Sequence, residues 1–309
     1  MIGVVGLNTA IDKLIDVDEL VPGRVTRARD VRAWPGGKGL HAAMCAATIA
    51  KDVRLAGLVD APHRESFADA LHASGVEFLA IEAPGTLRTC LAIRDKSGCI
   101  TEILEPGPSI DADVCARALR AAATVCDGAS VAVLAGSLPP GVSSTTYGDL
   151  VSEFPNTRML VDASGELLRS AIDAGPYAIK PNRTEAEALV GATLDSPAAA
   201  SRAARALVAR GIRLVVISLG ADGAVACWGD HAYHFAPPHV AAVNAVGAGD
   251  CLTGALAAGL ARGDDIIDAV RLAVAAGTAK VLSPETGLVR RADIDAVLPA
   301  IRVTLRSSA

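Results

Sequence analysis

The chain has 309 residues, of which 51% are hydrophobic and 20% are charged. A chain of this length and composition buries about three quarters of its unfolded surface and folds as a globular protein. Its 34 Asp and Glu residues outnumber its 29 Lys and Arg residues, which gives a net charge of -5. This balance excludes a general electrostatic attraction to nucleic acid or to acidic membranes, so we expect neither partner. An anionic ligand would have to be held by a local site.

The cysteines and the first residues bear on where the protein works. Seven cysteines form no CxxC pair and no cluster with histidine, which favours buried, reduced thiols over a zinc or redox centre. The first residues lack a basic segment and reach Asp12 too soon for a signal peptide. The longest charge-free stretch, residues 128–148, is interrupted by glycine and proline and is not suited to cross a membrane. We therefore expect a cytoplasmic protein.

Alternating strands and helices dominate the chain. Short apolar runs typical of buried parallel strands occur at 2–5, 53–58, 130–134, 158–162, 178–180 and 214–218. Helix-length segments rich in Ala, Leu and Arg occupy 37–51, 64–74, 111–126, 143–153, 165–173 and 196–210, and Ala-rich helices follow at 248–261 and 265–281. The alternation predicts an α/β fold with a doubly wound, mainly parallel sheet flanked by helices.

Two regions break this alternation. Residues 14–34 and residues 88–104 alternate apolar and polar side chains, as antiparallel strands with one solvated face do. We expect them to pair into a small antiparallel β lid over a cleft, inserted into a single domain that covers residues 1–309. The outer face and edges of such a lid would be exposed, which predicts a homodimer formed through it.

The sequence Asn244-Ala-Val-Gly-Ala-Gly-Asp250 directly precedes a predicted helix. Glycines at a helix start let backbone amides converge on an anion, with help from the helix dipole, so Gly247, Ala248 and Gly249 could bind a phosphate. A carboxylate beside a phosphate is repelled unless it has a task such as accepting a hydroxyl proton. Asp250 is therefore a candidate base, although a simple helix cap would explain it as well.

A second glycine-rich turn, Gly36-Gly37-Lys38-Gly39-Leu40-His41, also opens a helix. It is not a Walker loop, because the lysine is followed by glycine instead of Ser or Thr. Lys38 could serve as a point charge for an anion, and the bare glycine backbone could approach a sugar closely. The alternative is an ordinary helix start with a solvated lysine.

A third group of polar residues follows two later strands. Lys180 ends one strand and is followed by Pro181 and Asn182, with Glu185 three residues after Asn182. This spacing is typical of a helix capping box, but the same oxygens could also serve Mg²⁺, directly or through water. After the next strand, Ser218, Gly220 and Gly223 could shape a nucleotide pocket or form a plain turn.

In combination these motifs resemble the ribokinase-like, or PfkB, family of carbohydrate kinases over essentially the whole chain. GGKG at residue 36, KPNxxE at residue 180 and GAGD at residue 247 occur in that family's order. Two further segments, Thr86–Cys90 and Thr101–Pro108, are similar to the branch that acts on sugar phosphates, which includes tagatose-6-phosphate kinases and 1-phosphofructokinases.

The resemblance implies a role for each matching residue. Asp250 would be the base that deprotonates the acceptor hydroxyl, with Gly247, Ala248 and Gly249 around the transferring phosphoryl group. The sugar phosphate would be bound by residues from both sheets: Asp12, Gly36, Gly37, Lys38, His41, Arg88, Ser137 and, from the lid, Arg27. The nucleotide would be bound by Lys180, Asn182, Ser218, Gly220, Gly223, Gly247 and Gly249, and Mg²⁺ by Asn182 and Glu185.

Two residues depart from the family pattern. His41 stands where the family usually has an asparagine that contacts the sugar, so a larger, titratable ring alters the substrate side. Lys280 stands where close relatives often have an asparagine beside the adenine. This exchange leaves open both the nucleotide contacts and any monovalent-cation loop near them.

The resemblance implies an ATP- and Mg²⁺-dependent kinase of a ketohexose phosphate, either tagatose 6-phosphate or a fructose phosphate. A kinase of an unphosphorylated sugar or nucleoside is the first alternative, and Arg88 weighs against it because a neutral sugar leaves its charge unpaired. A non-catalytic sugar-phosphate sensor is the second. A dinucleotide dehydrogenase is disfavoured, because no G-x-G-x-x-G follows the first strand.

Overall fold

The computed structural model of the protein describes residues 1–306. Its strands are β1 (Ile2–Val5), β2 (Ala10–Asp16), β3 (Asp30–Gly36), β4 (Val53–Val59), β5 (Val76–Glu82), β6 (Arg88–Arg94), β7 (Ile100–Leu104), β8 (Val131–Ala135), β9 (Arg158–Asp162), β10 (Ala178–Ile179), β11 (Leu214–Ser218), β12 (Ala224–Trp228), β13 (His231–Ala236) and β14 (Arg302–Arg306).

The helices begin after the tight turns that the glycines and prolines predict. They are α1 (Lys38–Ala47), α2 (Arg64–Ala73), α3 (Ala112–Cys126), α4 (Thr146–Glu153), α5 (Gly165–Asp173), α6 (Arg183–Val190), α7 (Pro197–Val208), α8 (Ala248–Arg262), α9 (Ile266–Val281) and α10 (Arg291–Val297). None of the helices in residues 1–306 is both long and apolar enough to span a membrane.

The main sheet has ten strands in the order β14-β13-β12-β11-β10-β9-β8-β1-β4-β5. The strands from β11 to β5 are parallel, whereas β12, β13 and β14 add an antiparallel edge. Apolar clusters cover both faces, which is why the central strands are continuous apolar runs and not alternating ones. The predicted α/β fold with a mainly parallel sheet is confirmed.

The sequence analysis missed strands at the two edges of this sheet. These are β5 at one edge and β12, β13 and β14 at the other. β5, β13 and β14 lose the continuous apolar signal because part of each strand is solvated, and β14 has the mixed sequence Arg-Val-Thr-Leu-Arg. β12 was missed although it is the apolar and almost fully buried run Ala-Val-Ala-Cys-Trp. The short helix α10 was missed as well.

The two interrupting regions do pair into one small sheet, with the order β3-β2-β6-β7. Its outer pairs, β2 with β3 and β6 with β7, are antiparallel, but β2 and β6 at its centre are parallel. The expectation of a strand near Val25 was wrong. Residues 17–29 contain no strand, and Val25 is 89% exposed. The apolar and polar residues that alternate around Val25 therefore do not form a strand.

Close packing of α1 against α8 brings two predicted motifs together. A Cβ at Gly254 of α8 would lie 2.2 Å from the backbone oxygen of Ala42 in α1, so only glycine allows this approach. His41 and Asp250 each lie in the first turn of their own helix. The helix contact therefore places their side chains face to face although they are 209 residues apart.

Candidate active site

Two cavities meet at the carboxyl ends of the central strands, where doubly wound sheets bind their ligands. The larger has a volume of about 690 Å³ and the smaller about 380 Å³. Both are lined by Asn182, Ser218, Ala245 and Gly249. The start of α8 thus forms a common wall between two neighbouring ligand-sized spaces.

The turn before α8 is held in a fixed shape. Gly247 has φ of +84°, and a Cβ there would lie 2.6 Å from the Cα of Gly287, so the position requires glycine. The buried Asn244 side chain accepts from the backbone N–H of Val246 at 3.0 Å and donates to the carbonyl of Pro284 at 3.2 Å. The first amides of α8 are therefore pre-arranged for an anion at the cavity junction.

His41 joins Asp12 and Asp250. Its Nδ1 lies 3.1 Å from Oδ2 of Asp250, and its Nε2 lies 3.3 Å from Oδ2 of Asp12. The residue is only 3% exposed. Burial alone would lower the pKa of His41, but the hydrogen bond that the ring donates to Asp250 and the charge of Asp12 raise it to about 9. Burial in turn raises the pKa of Asp12, against the opposing charge of His41.

A third buried carboxylate, Asp162, joins two lysines that the sequence analysis assigned to different ligands. Its oxygens lie 3.3 Å from Nζ of Lys38 and 3.3 Å from Nζ of Lys180. Thr253 of α8 donates to it at 2.6 Å. Burial would raise the pKa of Asp162, yet Lys180 and Lys38 hold it below its usual range. The charge of Asp162 likewise raises the pKa of Lys38.

Asp162 and Thr253 are site residues that the sequence analysis missed. The one signal for Asp162 was its place at the end of an apolar run, because a carboxylate at the carboxyl end of a parallel strand faces the ligand edge of the sheet. No sequence pattern around Thr253 indicates a functional role, since threonines in Ala-rich helices also occur in hydrophobic cores without any function.

Arg88 and Ser137 line the smaller cavity as predicted. Arg88 donates from Nη2 to the carbonyl of Asn8 at 2.8 Å and from Nη1 to the carbonyl of Glu105 at 3.3 Å. Asn8 in turn donates to the hydroxyl of Ser137 at 2.9 Å. Arg88 thus ties the small sheet to the end of β1, and its positive charge faces the cavity.

Asn182 and Glu185 form the capping box that was the alternative to a metal site. The Asn182 side chain accepts from the backbone of Glu185 at 2.9 Å, and Glu185 Oε2 accepts from the backbone of Asn182 at 2.8 Å. Within residues 1–306 no group of three or more His, Cys, Asp or Glu residues is suited to hold a metal ion. Glu185 lines neither cavity, but its charge helps to raise the pKa of Lys38, so its carboxylate lies near the smaller cavity. Mg²⁺ is commonly bound by one or two carboxylates with substrate phosphates completing its shell.

Other predicted site residues are placed as follows. A Cβ on Gly36 would lie 2.2 Å from Cγ of Asp12, so this glycine makes room for the carboxylate, and Gly37 lines the smaller cavity. Gly220 and Gly223 line the larger cavity. Arg27 is exposed between β2 and β3, and the structure does not bring it to either cavity of its own chain.

Lys280 does not line the nucleotide-sized cavity, contrary to the position that the sequence analysis gave it. Gly277, Thr278 and Val281 of the same helix do so. The Lys280 side chain is fully buried and donates from Nζ to the carbonyl of Asn244 at 2.8 Å. Burial lowers its pKa to about 8. The helix periodicity turns Lys280 away from the cavity and under the turn that precedes α8.

Comparison with known proteins agrees with this geometry. The model of the pfkB family of carbohydrate kinases matches residues 4–292. A protein of Xanthomonas campestris named 1-phosphofructokinase is 36% identical over 301 residues, which cover 93% of this chain and 92% of that protein. The chain belongs to the pfkB family of carbohydrate kinases.

Solved structures show the same fold. Phosphofructokinase-2 from Escherichia coli, crystallised with substrates and products, is 29% identical, with a TM-score of 0.89 over 96% of this chain and 98% of that one. Other crystals of the E. coli enzyme contain potassium or a tetrameric inhibited form. Ribokinase from Thermotoga maritima, 23% identical over 97% of this chain and 99% of that one, has a TM-score of 0.77 and confirms the ribokinase-like fold.

Proposed function

We propose that the protein transfers the terminal phosphoryl group of ATP to a hydroxyl of a fructose phosphate. The observation that carries the proposal is the pair of cavities that meet at Gly249, beside the carboxylate of Asp250. A phosphoryl transfer needs donor and acceptor in line at one point, with a proton acceptor on the acceptor side. The relative named 1-phosphofructokinase and the E. coli phosphofructokinase-2 support this chemistry.

The smaller cavity is the sugar-phosphate side of the proposal. Lys38 and Arg88 supply positive charge to it, and Ser137 supplies a hydroxyl. Asp12, held next to Gly36, faces the same space and would accept from sugar hydroxyls. The cavity is lined by four cations, Lys13, Lys38, Arg88 and Lys180, and by three carboxylates, Asp12, Glu102 and Asp250. An anionic sugar fits this excess of positive charge better than a neutral sugar does.

The larger cavity is the nucleotide side. Its wall combines apolar side chains with the glycine turn at Gly220 and Gly223. Lys180 stands at the junction, since its Nζ lies 3.7 Å from the position of a Cβ on Gly249. This places a buried cation beside the amides that would receive the phosphates. Bound Mg²⁺, held with Glu185, would neutralise phosphate charge during transfer.

In the proposed reaction, Asp250 accepts the proton of the acceptor hydroxyl. The amides of Gly247 and Gly249 donate to the oxygens of the moving phosphoryl group, where the start of α8 adds its dipole. The N–H of Ala248, which the sequence analysis placed in the same group, donates instead to the carbonyl of Ala245 at 3.1 Å and stabilises the turn. The transition state of such a transfer is loose, so positioning and charge neutralisation supply most of the rate and the proton moves late.

Fructose 1-phosphate is the first substrate to test, ahead of fructose 6-phosphate, because the Xanthomonas relative is named for it. Steady-state kinetics on both, on tagatose 6-phosphate, on free fructose and on a nucleoside decide the assignment. We expect the highest kcat/KM on a fructose phosphate. A preference for a free sugar or nucleoside would overturn the proposal, and nucleotide binding without turnover would support the sensor alternative.

The small sheet is proposed as a lid and as the surface of a homodimer. Val31, Ile103 and Leu104 are exposed apolar residues on this sheet, which a second copy could cover. A dimer by light scattering at assay concentration is the expected result, and a monomer would count against it.

Assays in potassium and in tetramethylammonium salts test for a monovalent cation, which the E. coli enzyme can bind.

A further inference from the structure

His41 has a place that the proposed reaction does not by itself explain. It lies between the two carboxylates of the smaller cavity, one on β2 and one at the start of α8. Each ring nitrogen faces a carboxylate oxygen, and carboxylates only accept hydrogen bonds when ionised. The contact with Asp250 is a hydrogen bond and the contact with Asp12 is an ion pair. Both are favourable together only when both nitrogens carry a proton, that is, when the ring is a cation.

The structure keeps the ring in this position. A Cβ at Gly287 would lie 2.0 Å from a ring carbon of His41, so only a glycine allows the ring to occupy its place. The ring also lies 3.4 Å from the position of a Cβ on Gly247 in the turn before α8. The imidazole therefore packs closely against the two glycines on one side and faces the smaller cavity on the other.

The charges around His41 come from three elements. Asp12 faces it from β2, and Asp250 and Cys251 face it from α8, while the loop at Gly287 presents neutral backbone. On its own helix the nearest titratable groups in sequence are Lys38 and Cys45. Two nearby carboxylates repel each other, so without a cation between them one would tend to take up a proton. A protonated Asp250 could not act as a base.

We propose that His41, as an imidazolium, is a positioning residue that keeps Asp12 and Asp250 ionised together and fixes the distance between the sugar-binding and the proton-accepting carboxylate. The inference rests on the proposed function, because it presumes that Asp250 is the base. It predicts that kcat depends on a proton held by His41. The raised pKa of His41, about 9, agrees with a charged ring at neutral pH.

The test compares the wild type with His41→Gln and His41→Asn, which keep a polar side chain but remove the charge. We expect kcat to fall about ten- to a hundredfold, the effect of a charged hydrogen bond, while KM for ATP changes less than twofold. The acid limb of the pH profile should move to higher pH, because Asp12, whose pKa burial already raises, loses the opposing charge of His41. The alkaline limb of the wild type should disappear from both variants.

His63→Asn is the matched control. His63 also contacts a buried carboxylate, Asp60, at 2.7 Å, but it lies outside both cavities. We expect its kinetics and its pH profile to remain those of the wild type. If His41→Gln and His41→Asn keep the wild-type acid limb and at least half of kcat, the positioning role is wrong.

A direct titration separates this inference from the proposed function. The ring proton signals of the histidines can be followed by NMR from pH 5 to 10, and loss of one signal in His41→Gln or His41→Asn assigns His41. A midpoint above pH 8 supports the imidazolium, and a midpoint at or below the ordinary histidine value of about 6.5 overturns it. This result does not depend on any substrate. A charged His41 in a protein that phosphorylates no sugar would leave the ring assignment intact and refute the proposed function.

Discussion

Replacing Asp162 by asparagine should disturb both ligand sides of the site at once. Asp162 is 1% exposed and is the common partner of Lys38 and Lys180, each at 3.3 Å. Asparagine keeps the volume and can still accept from Thr253, so the change removes mainly the charge. The two lysines would then lack their shared counter-ion.

The two lysines differ in how well water can replace Asp162. The side chain of Lys38 is 39% exposed, so water can solvate part of its positive charge when Asp162 is replaced. Lys180 is 3% exposed and would be left as an uncompensated buried charge. Breaking a buried ion pair in this way costs about 3–5 kcal/mol, and we expect a loss near the lower end in the free energy of unfolding.

Urea unfolding at pH 7 and steady-state kinetics measure the two consequences. KM should rise for the sugar phosphate through Lys38 and for ATP through Lys180. The control is Asp173→Asn, whose carboxylate is 71% exposed and pairs with Arg210 at the surface. The free energy of unfolding of this control should fall by less than about 1 kcal/mol, and both of its KM values should stay unchanged. An Asp162→Asn protein as stable as the control, or one in which only a single KM rises, would refute the reasoning.

Three further predictions concern the same site. Asp250→Asn should lower kcat by about 10²–10⁴-fold and leave ATP affinity within a few-fold, and retention of more than about a tenth of kcat would exclude the role as base. Arg88→Ala should raise KM for the sugar phosphate about ten- to a hundredfold without changing KM for ATP. Arg88→Lys keeps the charge but loses the guanidinium contacts to backbone carbonyls, so its KM for the sugar phosphate should lie between those of the wild type and of Arg88→Ala. Because the folded-state pKa of His41 is raised from 6.5 to about 9, its contribution to stability is fully present below pH 6.5 and is lost as the pH rises through 9. The difference in unfolding free energy between the wild type and His41→Gln should therefore shrink by about 3 kcal/mol over that interval, and a constant difference would contradict it.

The sequence predicted those parts of the fold whose signal is local. Buried parallel strands are continuous apolar runs, and all six that were predicted lie in the main sheet. Glycine turns before α1 and α8 marked the two helix starts that line the cavities. The solvated edge strands, and the parallel pairing of β2 with β6, depend on neighbours that are distant in sequence, so no local pattern indicated them.

Which side chains of the site pair with which could not be predicted in the same way. Lys38 and Asp162 are 124 residues apart, and their contact depends on the order of β9, β8 and β1 in the sheet. Lys38 and Lys180 were assigned to separate ligands because each motif was considered alone. The sheet order brings both to one carboxylate, and only the assembled structure shows that the two ligand sides share a charge.

The resulting charge balance bears on why a phosphorylated sugar is the proposed substrate. Ion pairs join three carboxylates, Asp12, Asp162 and Asp250, to three cations, Lys38, His41 and Lys180. Within residues 1–306, Arg88 lines the smaller cavity but forms no ion pair, since its guanidinium donates to the backbone carbonyls of Asn8 and Glu105. A neutral sugar would leave this guanidinium without an anion, whereas a sugar phosphate would supply one. Selectivity for a phosphorylated substrate should therefore depend on Arg88 more than on Lys38, because Lys38 already has Asp162 as an ion-pair partner whereas Arg88 has none.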